Sequence, residues 1–156
     1  MKLILFFIVA SCSFFLPACV TESEVPQTER YTLTKKELET HGAKVFEGSK
    51  AKVSTAAEEA LKTMGYTIST RDPKRGLIVT EPMSITGVVE NRASRQQFRK
   101  YVISVEGTAE RAKVTAKPVL LSGTKDISSQ KVWTLDGPEG EKVRWEKYFE
   151  LVGHFL

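Results

Sequence analysis

Four short runs with apolar residues at every second position restrict what this chain can become: Tyr66–Arg71, Leu77–Glu81, Phe98–Glu106 and Arg111–Val119. A period of two sends alternate side chains to opposite faces, the pattern of a strand with one face buried. Tyr101, Ile103 and Val105 share a face in the third run. Ala112, Val114 and Ala116 do so in the fourth, with Arg111, Lys113, Thr115 and Lys117 opposite. In Asp72-Pro73-Lys74-Arg75-Gly76, proline fixes one φ and glycine supplies a positive one, which makes a tight turn. Gly107–Glu110 is a second short turn. Strands joined so closely run antiparallel. Pro118 predicts a strand end or a sheet edge.

Helices flank these runs. Ala43-Lys44-Val45-Phe46 reads as a first strand, and Ser49 as an N-cap. From Lys50 to Met64, Val53, Ala57, Ala60, Leu61 and Met64 fall on one helix face, and Gly65 stops the helix. A stripe so rich in alanine lets the helix lie close to a sheet. Asp136-Gly137-Pro138-Glu139 has the form of a capping box with proline just inside the helix start. The helix predicted from there carries Trp145, Tyr148, Phe149, Val152, Phe155 and Leu156 on one stripe. Burial of each such aromatic is worth about 1.5–3 kcal/mol, so this helix is the expected clamp on the sheet. Lys131–Leu135 predicts a fifth short strand carrying Trp133; Met83–Arg95 and Leu121–Gln130 read as loops. The expected fold is α+β: an antiparallel sheet of four to five strands with two helices packed on one face, in the order β-α-β-β-β-β-α.

The first twenty residues address the chain elsewhere. Lys2 precedes an apolar run from Leu3 that ends at Leu16-Pro17-Ala18-Cys19, the layout of an export signal. With a cysteine after the small residue, it resembles a bacterial lipoprotein signal. That resemblance implies a diacylglyceryl group on the Cys19 sulfur, cleavage before Cys19, and acylation of the new amine. Pro17 departs from the Ala, Ser or Thr that the family favours. Val9-Ala10-Ser11-Cys12 offers a second box, and an uncleaved helical anchor is a third reading. Two or three acyl chains hold a protein permanently, since each buried methylene contributes about 0.8 kcal/mol. Val20 stands where an aspartate would signal retention in the inner membrane, so the family rule implies the outer membrane. The partition is then 1–18 signal peptide, 19–40 flexible tether and 41–156 a single α+β domain. The polar, acidic VTESEVPQTER run is the core of the tether, and Tyr31–Thr40 reads as a short strand or a turn of helix, exposed either way through Lys35, Lys36, Glu37 and Glu39.

Both cysteines, Cys12 and Cys19, lie in the signal region, so the domain must be stable without a disulfide. The net charge is +4 for the whole chain and about +5 from His41 onward. An exported basic domain points to anionic lipid, cell-wall polymer or an acidic protein face as partner, not to nucleic acid.

The pattern Ala57-x2-Ala60-Leu61-x3-Gly65-Tyr66-x-Ile68-x3-Asp72-x3-Gly76-x-Ile78-x-Thr80 resembles small envelope lipoproteins. Among these are the helix-grip domains of the lipoprotein subunit that accompanies the outer-membrane β-barrel assembly machine. The resemblance implies a binding or scaffolding role without catalytic residues.

Motifs for chemistry are sparse. His41 and His154 are the only histidines and have no metal-ligand spacing, so no metal and no cofactor is expected. No Gly-x-Ser-x-Gly elbow or nucleotide-binding glycine loop occurs. Leu121-Ser122-Gly123-Thr124-Lys125 lacks the leading glycine of a phosphate loop. Glu81 and Glu90 flank a loop and would be the acid pair of an envelope enzyme acting on cell wall or glycan. Arg92, Arg95, Arg99 and Lys100 form the candidate patch for an anionic surface, because guanidinium forks grip phosphate and carboxylate in pairs. The expected function is a lipid-anchored, periplasm-facing binding or scaffolding module without catalysis. The alternatives are that enzyme, or a lipid or ligand carrier with an apolar cavity between the sheet and the last helix.

Overall fold

The computed structural model describes residues 30, 32–85 and 96–156. The export signal, both cysteines, and Glu90, Arg92 and Arg95 lie outside these. In chain order the elements are α1 (Lys35–Thr40), β1 (Ala43–Glu47), α2 (Lys50–Thr63), β2 (Ile68–Asp72), β3 (Leu77–Thr80), β4 (Met83–Ser84), β5 (Gln97–Gly107), β6 (Arg111–Ser122), β7 (Lys125–Asp126) and α3 (Glu141–His154). The strands run antiparallel in the order β1-β6-β5-β3-β2, with β4 on β5 and β7 on β6. The class is α+β, as the strand periods and turns predict.

β5 and β6 are the spine, paired without a register break from Gln97↔Ser122 to Gly107↔Ala112. The β2–β3 hairpin closes as expected: the Asp72 carboxylate accepts the Arg75 N–H at 3.1 Å, and Gly76 takes a φ of +68°. Pro118 sits inside β6, and its side of the strand explains why it is tolerated. On that edge the Ala116 N–H donates to Gly42 O at 2.7 Å, and the Leu120 N–H donates to Ser128 Oγ at 2.9 Å. The β1 ladder extends only to Ala43 opposite Thr115, so the donor that proline lacks has no strand to meet.

All three helices among the described residues pack on one side of the sheet. Phe46, Ile78, Tyr101, Ile103, Val105, Ala112, Val114 and Ala116 supply that side and are buried. α2 is capped by Ser49, which accepts the Lys52 N–H at 3.3 Å. It stops at Gly65, where φ is +89° and the Tyr66 N–H reaches back to Leu61 O at 3.0 Å. Its buried stripe is Val53, Ala56, Ala57, Ala60 and Leu61. α3 fills the space between itself and the sheet. Trp145 Nε1 donates to Ala116 O at 2.8 Å, Tyr148 OH donates to Ala57 O at 3.4 Å, and Phe149 meets Phe46 at 6.2 Å between ring centroids.

Several expectations are corrected. α1 forms within the stretch read as tether, fixed by a reciprocal cap in which Thr34 Oγ1 accepts the Glu37 N–H at 3.2 Å and Glu37 accepts the Thr34 N–H at 2.7 Å. Leu33 and Leu38 pack on the core, so the domain begins before His41. α3 starts at Glu141, not near Pro138, because Gly137 has a φ of +87° and the Gly140 N–H turns back to Gly137 O. Phe155 is 40% exposed and leaves the stripe. Lys131–Leu135 makes only a single bridge, at Trp133, and not a ladder strand. Trp133 instead packs with Leu120 and Ile127 in a second, smaller cluster, its Nε1 donating to Ser128 O at 2.7 Å. The segment read as a polar loop after Leu121 therefore holds β7 and a buried isoleucine.

Candidate functional site

The side of the sheet away from the helices carries the odd-numbered residues of β1, β3 and β6 and the even-numbered residues of β5, by register. Among the described residues of this side only Val119 is buried. Leu77, Val79, Val102, Phe98 and Leu121 are half-buried, and Val45 is 50% exposed. Lys100, Lys113 and Lys117 stand among them, with Glu106 opposite Lys113 across the β5–β6 ladder. No helix among the described residues covers these side chains, which form a mixed apolar and cationic sheet face.

The arginine patch read from the sequence divides. Arg92 and Arg95 lie outside the described residues. Lys100 points to the uncovered sheet face, near Asp126. Arg99 points the other way, into the molecule, because it falls in the alternation of Tyr101, Ile103 and Val105. It is 7% exposed and does not reach the surface. Its Nη2 lies 2.6 Å from Glu141 Oε1.

Glu141, in the first turn of α3, is 1% exposed and also accepts a hydrogen bond from Tyr101 OH at 3.1 Å. Tyr66 stacks edge-on against Tyr101 at 5.3 Å. Burial raises the Glu141 pKa above its ordinary 4.5, and the Arg99 and Arg144 charges and the Tyr101 hydroxyl pull the other way without prevailing. Burial likewise raises Tyr101 well above its ordinary value, with the Glu141 charge adding to it. Arg99 Nε and Nη1 and Arg144 Nε are buried and donate to no partner among the described residues. Arg144 Nη2 reaches outward to Glu139 at 2.6 Å. Sequence reading missed this cluster. The signal was present: Glu141 precedes Trp145 and Tyr148 by four and seven residues on the apolar stripe, and Arg99 precedes Tyr101 by two on the apolar side of its strand.

Glu81 is exposed at the end of β3, and its expected partner Glu90 is outside the described residues. His41 caps the end of α1 and His154 is the last residue of α3. No group of three or more His, Cys, Asp or Glu among the described residues is placed to hold a metal ion. A groove of about 450 Å³ runs between β1 and α3, lined by His41, Lys44, Lys142, Glu146, Phe149 and Glu150. Its walls are mostly charged, and the apolar stripe of α3 is spent on the core. No described helix is long and apolar enough to cross a membrane.

No family model matches the chain, and no curated protein matches it. Among solved structures it is similar to a DUF4468 family protein from Bacteroides ovatus at 16% identity and a TM-score of 0.33, covering 72% of this chain and 77% of that one. It is also similar to a TBP-like protein from Parabacteroides distasonis at 16% identity and a TM-score of 0.32, covering 72% of this chain and 84% of that one. Likeness at this level assigns no function.

Proposed function

We propose that this chain is a lipid-anchored envelope lipoprotein, held through Cys19 at the outer membrane and facing the periplasm, whose domain binds or scaffolds an envelope protein without catalysis. The observation that carries the binding role is the one-sided packing of the helices. It leaves the half-buried Leu77, Val79, Val102 and Leu121 on a sheet face over which no helix among the described residues lies. An apolar patch ringed by polar side chains is the form a recognition surface takes. The anchor rests on the sequence of the first nineteen residues.

A photo-crosslinking residue placed at Val102 in the full chain, in cells, tests the surface. Adducts to a protein partner are expected from Val102 and not from Lys147, which is exposed on the outer side of α3. Equal adducts from both positions, or none from Val102, would overturn the surface. In the same cells, Cys19→Ser is expected to leave the membrane fraction; a variant that still sediments at the processed size removes the anchor.

A further inference from the structure

The sheet has two outer strands, β1 and β2, and they end it differently. The register of β2 breaks between Ile68 and Thr70, an irregularity that blunts an edge. β1 runs unbroken from Ala43 to Glu47 against β6. The Ala116 N–H donates to Gly42 O, and the Gly48 N–H donates to Glu110 O at 2.6 Å. The even-numbered positions of β1 are therefore the ones bonded to β6, because bonded and non-bonded positions alternate along an antiparallel pair. The N–H and C=O groups of Ala43, Val45 and Glu47 point the other way, to the open edge. Among the described residues no hydrogen bond meets them. Val45, at the centre, is 50% exposed.

The groove of about 450 Å³ beside this edge adds a charge pattern. Trp145 lies close to Gly42, while Phe149 and Gly153 lie close to Phe46, so α3 advances in the same direction as β1. Lys44 and Phe46 point to the helix side, Lys44 exposed and Phe46 buried. Glu150 follows Phe149 on the groove wall and is exposed. Neither Lys44 nor Glu150 makes an ion pair among the described residues.

A second copy of β1, laid antiparallel about a two-fold axis at Val45, satisfies this edge completely. Ala43 faces Glu47 of the copy and Val45 faces Val45, so every outward N–H finds an outward C=O. No like charges stand directly opposite. On the helix side Lys44 of the copy comes opposite Phe46, beside Glu150 on the groove wall, and the symmetry makes the same contact twice. An unrelated strand would take the backbone bonds as well; the charge match is a property of this chain with itself.

We infer that the open edge of β1 is the self-association surface of the domain: two copies pair through β1 into one continuous sheet, with Lys44 of each set against Glu150 of the other. The inference goes beyond the anchored, face-binding reading and does not rest on it.

The test uses the full chain purified in detergent. Under mild oxidation Val45→Cys is expected to form a covalent dimer, since facing Cα atoms of a bonded pair lie about 5.5 Å apart, within disulfide reach. Mass spectrometry of the linked peptide separates this bridge from any through Cys12 or Cys19. Val143→Cys, at a comparably exposed position on α3, should remain single. Lys44→Glu and Glu150→Lys are each expected to weaken self-association about tenfold in sedimentation. Mixing the two variants should restore it, because each then meets its complement across the axis. No bridge from Val45→Cys, or no more than from Val143→Cys, overturns the inference, and so does a mixture that associates no more tightly than its parts. An edge that takes a strand of another protein instead gives those same two results.

Discussion

Arg99 and Glu141 occupy positions that their neighbours reserve for apolar side chains, one in a strand alternation and one on a helix stripe. Each was visible as a charged residue in an apolar period, yet their pairing was not, because they lie 42 residues apart and meet only once α3 closes on β5. Removing one partner of a buried pair leaves the other charge without compensation. Glu141→Ala is therefore expected to lower stability by about 3–5 kcal/mol in urea unfolding. Arg99→Met placed in the same chain should restore much of the loss. The pH dependence follows from burial. The folded chain keeps the Glu141 proton above the ordinary 4.5, where the unfolded chain has released it. Over that interval the folded form binds more protons, so rising pH disfavours it. The contribution of Glu141 is fullest below the ordinary value and declines as pH rises to the raised one. The stability difference between wild type and Glu141→Gln, followed by urea midpoint across this range, should shrink with rising pH. A difference that grows with pH would mean that the Arg99 attraction prevails over burial.

The elements themselves were legible where a local rule acted alone. Ser49, Gly65 and the Asp72–Gly76 turn all act within a few residues, and each appears as read. Expectation failed where a distant group decided. Pro118 lies within a central strand because β1 is only five residues long and begins at Ala43, opposite Thr115, short of it. Trp133 belongs to a cluster with Leu120 and Ile127, not to a ladder. α1 falls in the Tyr31–Thr40 stretch, which reads as either a short strand or a turn of helix because it is polar with few apolar residues; its cap, Thr34 with Glu37, decides for the helix. The glycines offer a test of the turn chemistry. At Gly76 φ is +68° and an added Cβ would collide with the Val105 carbonyl oxygen, while at Gly123 φ is +61° and nothing lies within 4 Å. Gly76→Ala should cost about 2 kcal/mol or more, and Gly123→Ala about 1 kcal/mol, in thermal or urea unfolding. Equal losses would show that backbone conformation, not the collision, sets the cost.

Across the whole molecule, two apolar clusters of unequal size share one sheet. The larger holds Trp145 and the smaller holds Trp133. The smaller has three buried members and is closed by short loop contacts such as the Trp133 Nε1 bond to Ser128 O. Local stability follows buried contact, so this end should open first. Single-tryptophan chains, Trp133→Phe and Trp145→Phe, separate the two signals. Fluorescence from Trp133 is expected to change at lower denaturant than fluorescence from Trp145; coincident transitions would make the two clusters one cooperative unit. Fold class could be read from strand periods, but the uncovered face could not, since it depends on all three helices choosing the same side. The stretch of β6 around Pro118, beyond its ladder with β1, carries a further consequence. A foreign polypeptide extending the sheet there would look for a run of amide donors and find one missing. Fibril-like growth from that rim is thus interrupted twice, by the imino acid itself and by the segment after β7, whose Ile127 N–H and Ser128 Oγ already hold the Leu120 backbone.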